Sequence, residues 1–203
     1  MEAALYLVVT PRLCRHGAVP TVTAALDGGA DAVQLRDKEA PDGAFLRLAI
    51  ELAAHCGERG VPLILNDRAH LVDQAGADGV HVGENDLTPE EVRLRYGDRL
   101  VVGLSTHGRA EVAAAVGRGA DYVGLGPMFS TATKTLTRTP GGAALLRDAA
   151  GATSLPIYPI GGIDAANAPA LIAAGATRLA VSAAICAAED PREAAAQLRA
   201  LLP

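Results

Sequence analysis

Aromatic residues are scarce in this chain, and so are cysteines and clustered basic residues. Only 3% of its 203 residues are aromatic, and the formal net charge is −5. Nucleic-acid surfaces usually carry a basic patch, so we expect no nucleic-acid partner. The three cysteines, Cys14, Cys56 and Cys186, have neither paired nor metal-ligand spacing. So few unpaired cysteines are typical of proteins from a reduced cytoplasm, which is the compartment that we predict.

The sequence also shows no signal-peptide pattern and no membrane-spanning run, so we expect no membrane partner. Hydrophobic residues nevertheless make up 50% of the chain. This length and apolar content predict one domain with a large core.

A Gly-Ala-Asp phrase recurs at the entrance to apolar runs. Copies begin at Gly29, Gly76 and Gly119, and a Gly-Ala-Thr variant begins at Gly175. In each run that follows, branched apolar residues alternate with small or polar ones, as in a strand with two different faces. The glycines are 47, 43 and 56 residues apart, about twice a βα unit of roughly 20 to 30 residues. The four strands are therefore alternate members of a longer series.

Four further apolar runs supply the missing members, at residues 5–10, 61–67, 100–105 and 155–162. Segments with helical periodicity lie between the strands and include 45–58, 89–96, 110–116, 166–174 and 191–202. Alternating strands and helices predict a parallel sheet, and eight strands can close on themselves. The prediction is an α/β fold, a single-domain TIM (β/α)8 barrel over residues 1–203. An open doubly wound sheet is the alternative.

Polar residues cluster where these strands end, which is where TIM barrels form their active sites. Gln34, Arg36 and Lys38 share one side of the second strand's end. Arg36 and Lys38 would repel each other unless an anion lies between them, so their shared side predicts an anion site. The alternative is that both leave the sheet towards solvent and pair with Asp37 and Glu39.

Carboxylates follow the next two strands, at Asp67 and Asp86. Such hard oxygen ligands suit Mg²⁺ held by one or two carboxylates and by substrate phosphate. The alternatives are a helix cap for Asp67 and a turn residue for Asp86. The two carboxylates together with Arg36 and Lys38 favour a metal and diphosphate site.

Two later segments also have the composition of anion sites. The loop after the sixth strand contains Thr131, Thr133 and Lys134, which can donate to phosphate oxygens. We predict a mobile lid here, within 128–142, that orders when an anion binds; a solvated connection is the alternative. Gly161-Gly162 and the strand end near Ser182 predict a second phosphate site, unless the glycines serve only a turn.

Seven motifs, in this order, resemble thiamine-phosphate synthase: 34–38, 66–67, 79–83, 105–107, 121–127, 131–134 and 161–163. The resemblance covers nearly the whole chain. It implies a transferase of thiamine biosynthesis that condenses hydroxymethylpyrimidine diphosphate with hydroxyethylthiazole phosphate, by a dissociative, Mg²⁺-assisted displacement that releases diphosphate. The implied partners are these small-molecule substrates, and homo-oligomerisation is left open.

The resemblance also implies a role for individual residues. Gln34, Asn66 and His81 would contact the pyrimidine, while Asp67 and Asp86 would hold Mg²⁺. The diphosphate, and with it catalysis, would depend on Arg36, Lys38, Ser105 and Lys134. Thr131 and Thr133 would lie near the thiazole phosphate or the diphosphate, and the thiazole phosphate would lie on Gly161, Gly162 and the residues around Ser182.

Three positions depart from the family's pattern. Glu84 stands where glutamine is expected, and the usual serine of the last strand aligns with Ala183, one residue after Ser182. Near the start, Pro11 follows Thr10 where the family often has an acidic residue. Two other functions are considered: a thiazole tautomerase of the same family, with His107 as its acid-base group, and a noncatalytic thiazole or thiamine phosphate binding protein. The combination of cationic, carboxylate and Thr-Lys motifs favours the synthase.

Overall fold

Eight parallel strands form the centre of the structure, a computed structural model that describes residues 3–130 and 139–203. The strands are β1 (Leu5–Val9), β2 (Ala32–Leu35), β3 (Leu63–Asn66), β4 (Gly79–Val82), β5 (Val101–Thr106), β6 (Tyr122–Leu125), β7 (Ile157–Pro159) and β8 (Leu179–Val181). They pair in the order β7-β6-β5-β4-β3-β2-β1-β8, and a bridge between Ile160 and Ala180 brings the two edges together. The predicted barrel is confirmed, and the open sheet is wrong.

Helices connect the strands on the outside of the barrel. Those of the described residues are α1 (Ala18–Asp27), α2 (Asp42–Gly57), α3 (Val72–Ala75), α4 (Pro89–Tyr96), α5 (Arg109–Ala114), α6 (Gly142–Ala150), α7 (Ala168–Ile172), α8 (Ala183–Cys186) and α9 (Pro191–Ala200). The helix predicted at 166–174 is shorter because the Asp164 carboxylate accepts hydrogen bonds from the N–H groups of Ala166 and Asn167, which forms a turn instead. None of the helices described is long and apolar enough to cross a bilayer.

The Gly-Ala-Asp phrase sets the register at the amino ends of the strands. Its glycines have positive φ, for example 97° at Gly29 and 84° at Gly119, a region that glycine enters without steric cost. Each aspartate accepts a hydrogen bond from a backbone N–H near the start of the preceding strand: Asp31 from Leu5 (2.8 Å), Asp78 from Leu63 (2.8 Å) and Asp121 from Val102 (2.7 Å). The repeated phrase therefore joins neighbouring parallel strands.

Two apolar layers result from the alternation along the strands. Outward-facing residues such as Val33, Leu35 and Val80 pack in the main core with the helices. A smaller cluster fills the inside of the barrel and includes Tyr6, Ile64, Tyr122, Tyr158 and Ala180. This inner cluster forms a floor, and the polar residues towards the carboxyl ends of the strands lie above it.

Candidate active site

A cavity of about 500 Å³ lies above this floor, at the carboxyl ends of the strands. Its wall contains eight of the predicted site residues: Gln34, Arg36, Asn66, His81, Ser105, Gly161, Gly162 and Ser182. Thr131, Thr133 and Lys134 lie outside the described residues, as does the part of the predicted lid that spans 131–138. Lys38, Asp67 and Asp86 are not part of the wall and form a separate charged group.

Five polar side chains inside the barrel form one hydrogen-bonded series, which we call the barrel chain. It runs from Gln34 through Tyr6, Tyr122 and His81 to Ser105. Nε2 of Gln34 donates to the Tyr6 hydroxyl (2.8 Å), and the two tyrosine hydroxyls are 2.8 Å apart. The Tyr122 hydroxyl is 3.1 Å from Nδ1 of His81, whose Nε2 is 2.9 Å from Oγ of Ser105. Burial of polar groups is costly unless they are paired, and these bonds remove that cost.

Glycines on β5 and β6 make room for the middle of the barrel chain. A Cβ atom at Gly103 would collide with the Tyr122 ring and with Nδ1 of His81. A Cβ atom at Gly124 would lie 3.3 Å from Cε1 of His81. Both glycines face the barrel interior, so their lack of a side chain provides the space that the two rings occupy.

Burial keeps the barrel chain uncharged. It lowers the pKa of His81 to about 4; the negative charge of Asp86 opposes this shift, and the positive charge of Arg36 adds a smaller lowering. Burial also raises the pKa of both Tyr6 and Tyr122. At neutral pH, His81 therefore carries a single ring proton, and both hydroxyls are intact.

The charged group beside the cavity contains Asp67, Asp86 and Lys38. Nζ of Lys38 lies 3.0 Å from Oδ2 of Asp67. Asp86 accepts a hydrogen bond from the Gly83 N–H (2.9 Å), so the predicted turn contact is present. Burial, followed by the neighbouring Asp67, raises the pKa of Asp86. Two carboxylates this close need a proton or a cation between them.

Asp67 has an unusual backbone conformation. Its φ is 64°, in the left-handed region that aspartate tolerates better than most residues. The backbone N–H of Asp67 donates to the His81 carbonyl (2.9 Å), which holds the end of β3 against β4. Among the described residues, the Asp67 carboxylate does not cap the helical turn that follows it and instead pairs with Lys38. Over the same residues, no group of three or more His, Cys, Asp or Glu side chains has a metal-binding arrangement.

Arg68 holds the loop that carries Lys38, and the sequence reasoning missed it. Its guanidinium donates to the carbonyls of Asp37 and Ala40 and to the Asp42 carboxylate (3.0 Å). It also lies 4.2 Å from the centre of the Phe45 ring. The carbonyl partners are 31 and 28 residues away in sequence, so no local motif could have indicated them.

The loops after β7 and β8 border another part of the cavity. The φ angles of Gly161 and Gly162 are 104° and 65°, and a Cβ atom at Gly162 would collide with the Ser130 carbonyl. This turn requires both glycines whether or not it binds an anion. Oγ of Ser182 lies 3.5 Å from Oγ1 of Thr10. The geometry brings these residues to the cavity, and their role in phosphate binding stays a prediction.

His107, the candidate acid-base group of a tautomerase, also lines the cavity. Its Nδ1 lies 2.6 Å from the Gly126 carbonyl oxygen, which requires a proton on that nitrogen. The carbonyl therefore orients the ring and leaves Nε2 as its other hydrogen-bonding atom.

Comparison with known proteins identifies the family. A sequence profile described as thiamine monophosphate synthase matches residues 5–185. The chain belongs to this family. A thiamine-phosphate synthase from Xanthobacter autotrophicus is 43% identical over 200 residues, which covers 98% of this chain and 95% of that protein. Among solved structures, a thiamine phosphate pyrophosphorylase from Pyrococcus furiosus has a TM-score of 0.88 and 31% identity, covering 98% of this chain and 94% of that one.

Some members of the thiamine monophosphate synthase family are longer than this chain. The thiamine-phosphate synthase of Gloeobacter violaceus is 46% identical over 93% of this chain, which spans 54% of the Gloeobacter protein. The chain likewise spans 52% of the relative from Synechococcus. It therefore covers about half the length of these two relatives.

The sequence reasoning also missed Tyr6 and Tyr122 as site residues, although Tyr122 lies within the family motif at 121–127. Both occupy inward-facing positions, and the Gln34 and His81 positions next to them in the barrel were recognised. A strand-by-strand reading of the inward face would have found the tyrosines. Their hydrogen bonding to each other, across 116 residues of sequence, is visible only in the folded barrel.

Proposed function

We propose that this protein is a thiamine-phosphate synthase, condensing hydroxymethylpyrimidine diphosphate with hydroxyethylthiazole phosphate. The observation that carries the proposal is the combination of a neutral polar interior with a charged edge. Arg36 is in the cavity wall, and Lys38, Asp67 and Asp86 lie beside it. An uncharged heterocycle fits the interior, while a diphosphate fits the charged edge.

The pyrimidine would occupy the deep part of the cavity. Gln34, Asn66 and His81 are buried and polar, and all three line the wall. Neutral amide groups in such a site can hydrogen-bond ring nitrogens and an amino substituent without the desolvation cost of a charge, while the His81 ring, whose two nitrogens already bond to Tyr122 and Ser105, would contact the pyrimidine by packing. These contacts would hold the methylene carbon of the substrate towards the charged edge.

Arg36, Lys38 and Ser105 would bind the diphosphate oxygens. Burial lowers the pKa of Arg36, which marks a guanidinium with little water around it. A cation with less water around it interacts more strongly with an anion. These groups would stabilise the negative charge that builds up as the methylene C–O bond breaks and its electron pair leaves with diphosphate. The thiazole nitrogen then donates its lone pair to the methylene carbon, so no protein nucleophile is needed.

Asp67 and Asp86 fit a divalent cation because they are two neighbouring carboxylates, one of them with a raised pKa. Magnesium is commonly held by one or two carboxylates together with substrate phosphate, which agrees with a group of two acids. Bound there, Mg²⁺ would neutralise charge on the leaving diphosphate. The thiazole phosphate would lie by Gly161, Gly162 and Ser182, and the hydroxyls of Thr131 and Thr133 would bind either this phosphate or the diphosphate.

The test is incubation of the protein with both substrates and Mg²⁺, with detection of thiamine phosphate and diphosphate. A thiazole carboxylate phosphate isomer is supplied in a parallel reaction. Equimolar formation of both products supports the synthase, whereas isomerisation alone indicates the tautomerase. Binding of both substrates without either reaction indicates a noncatalytic binding protein. The relatives named above are described as synthases or pyrophosphorylases, and no observation favours the other two functions.

Two variants separate the roles within the site. Asp86→Ala should raise the Mg²⁺ concentration needed for half-maximal rate, and an unchanged requirement would remove Asp86 as a ligand.

Lys134→Ala should lower turnover much more than the affinity for thiazole phosphate. Near-normal turnover would exclude Lys134 from stabilising the leaving group.

A further inference from the structure

The barrel chain begins and ends at the cavity, since both Gln34 and Ser105 line the wall. Its three middle members, Tyr6, Tyr122 and His81, are buried and uncharged at neutral pH. In a series of neutral hydrogen-bonding groups, the direction of one hydrogen bond fixes the direction of the next. A ligand bound at one end of the series can therefore affect which ligand binds at the other end.

Proton counting allows two arrangements of the barrel chain. When Gln34 donates to Tyr6, the single proton of Tyr6 goes to Tyr122, and that of Tyr122 goes to Nδ1 of His81. His81 then has its proton on Nε2 and donates to Ser105. Ser105 keeps its hydroxyl proton for the cavity, and Oε1 of Gln34 is available as an acceptor.

Rotation of the Gln34 amide by half a turn reverses every link. Tyr6 then donates to Gln34, Tyr122 donates to Tyr6, and Nδ1 of His81 donates to Tyr122. Nε2 of His81 becomes an acceptor, so Ser105 must spend its proton on His81. The cavity now meets an amide NH₂ at one end and a hydroxyl without a free proton at the other.

We propose that the barrel chain couples the two ends of the cavity. An anion that accepts a hydrogen bond from Ser105 selects the first arrangement, in which Gln34 presents its carbonyl oxygen and prefers a ligand with an amino group. This inference rests on the proposed function, in which diphosphate is the anion and the 4-aminopyrimidine is the ligand. Tyr6 and Tyr122 are positioning residues that act through Gln34, His81 and Ser105.

The experiment measures binding rather than turnover. The dissociation constants of hydroxymethylpyrimidine and of its 4-oxo analogue are determined by calorimetry, with and without saturating inorganic diphosphate and Mg²⁺. The 4-oxo analogue carries a hydrogen-bond acceptor in place of the amino donor. In the first arrangement this acceptor would face the carbonyl oxygen of Gln34, so the analogue should bind less well to that arrangement. In the wild-type protein, diphosphate should increase the preference for the amino compound by about fivefold or more, the size of typical coupling between sites.

Tyr122→Phe removes one link with little change in shape, and its amino preference should become independent of diphosphate. Tyr158→Phe is the matched control, because Tyr158 is equally buried but donates to the Ala3 carbonyl (2.7 Å), outside the barrel chain. It should keep the wild-type coupling. Tyr6→Phe interrupts the chain at another link and replaces Tyr122→Phe if that variant does not fold.

Nitrogen NMR of ¹⁵N-labelled histidine gives a second measurement. With diphosphate bound, His81 should be in the Nε2–H form in the wild-type protein, and in a mixture of forms in Tyr122→Phe. Wild-type coupling in a folded Tyr122→Phe or Tyr6→Phe variant would overturn the inference, and so would an Nδ1–H form with diphosphate bound. Failure of the wild-type protein to form thiamine phosphate would instead count against the proposed function.

Discussion

Gly103 on β5 is a position at which one added methyl group should damage both the fold and the site. A Cβ atom there would collide with the Tyr122 ring and with Nδ1 of His81. Neither ring has room to move, because Tyr122 has no exposed surface and His81 is 8% exposed. The methyl group would also separate the Tyr122 hydroxyl from Nδ1 of His81, which are 3.1 Å apart.

The two effects give the expected magnitude for Gly103→Ala. Overpacking of a filled core costs about 1 to 3 kcal/mol. A buried hydrogen-bonding group left unpaired costs a further ~1 to 3 kcal/mol. Because the two changes share the same atoms, we expect a total loss of about 2 to 4 kcal/mol. For a chain of this size, each kcal/mol lowers the midpoint of thermal unfolding by about 2 to 4 °C, so the midpoint should fall by about 5 to 15 °C.

The assay compares thermal unfolding, followed by circular dichroism, with thiamine phosphate formation measured well below both midpoints. Gly57→Ala is the control, since a Cβ atom at this position of α2 meets nothing within 4 Å and alanine favours the helix. It should leave both quantities at or above wild-type values. A midpoint within ~2 °C of wild type for Gly103→Ala, with normal turnover, would refute the tight packing of Gly103 against Tyr122 and His81.

Three further predictions concern pH, the charged group and the loop after β2. The folded-state pKa of His81 is lowered to about 4. The stability that the neutral ring contributes is therefore complete above the unfolded pKa near 6.5 and decreases as the pH falls, by about 2 kcal/mol at pH 5. The free energy of urea unfolding should fall less between pH 7 and pH 5 for His81→Asn than for the wild-type protein, and an equal fall would contradict the lowered pKa of His81. The pKa of Asp86 is raised, so the contribution of its carboxyl group to protein stability is lost as the pH rises through the folded-state pKa. Asparagine carries no charge at pH 7, and Asp86→Asn should therefore raise the midpoint of thermal unfolding at this pH. Asp73→Asn is the control with the opposite sign, since its ion pair with Arg99 lowers the pKa of Asp73, and a lower midpoint for Asp86→Asn would refute the first expectation. A lysine at position 68 cannot donate to the Asp37 and Ala40 carbonyls at the same time, as arginine does, so the loop that carries Lys38 should be held less firmly. For Arg68→Lys, inhibition by inorganic diphosphate should therefore weaken several-fold with little change in the unfolding midpoint. An unchanged inhibition constant would mean that the loop holds its position without Arg68.

Much of the site could be predicted because it follows from position along the strands. Gln34 and His81 alternate with branched apolar residues, so the pattern alone assigns them to the inward face. Asp86 also follows a strand end, where active-site residues of barrels lie. The alternative for Lys38, a pairing with Asp37 and Glu39 towards solvent, differs from the contacts in the structure: the Asp37 carboxylate accepts from backbone N–H groups of its own loop, and Lys38 pairs with Asp67.

The amino-acid sequence by itself determined the number of strands, their parallel order and the faces of their residues. These properties depend on local alternation and on a repeat of strand and helix, which can be read without distances. Only the tertiary structure decided which inward residues meet. Tyr6 bonds to Tyr122 across 116 residues, and Arg68 reaches carbonyls 28 and 31 residues away, because closure of the barrel sets these distances. The neutral state of His81 likewise comes from burial that neighbouring strands and glycines create together.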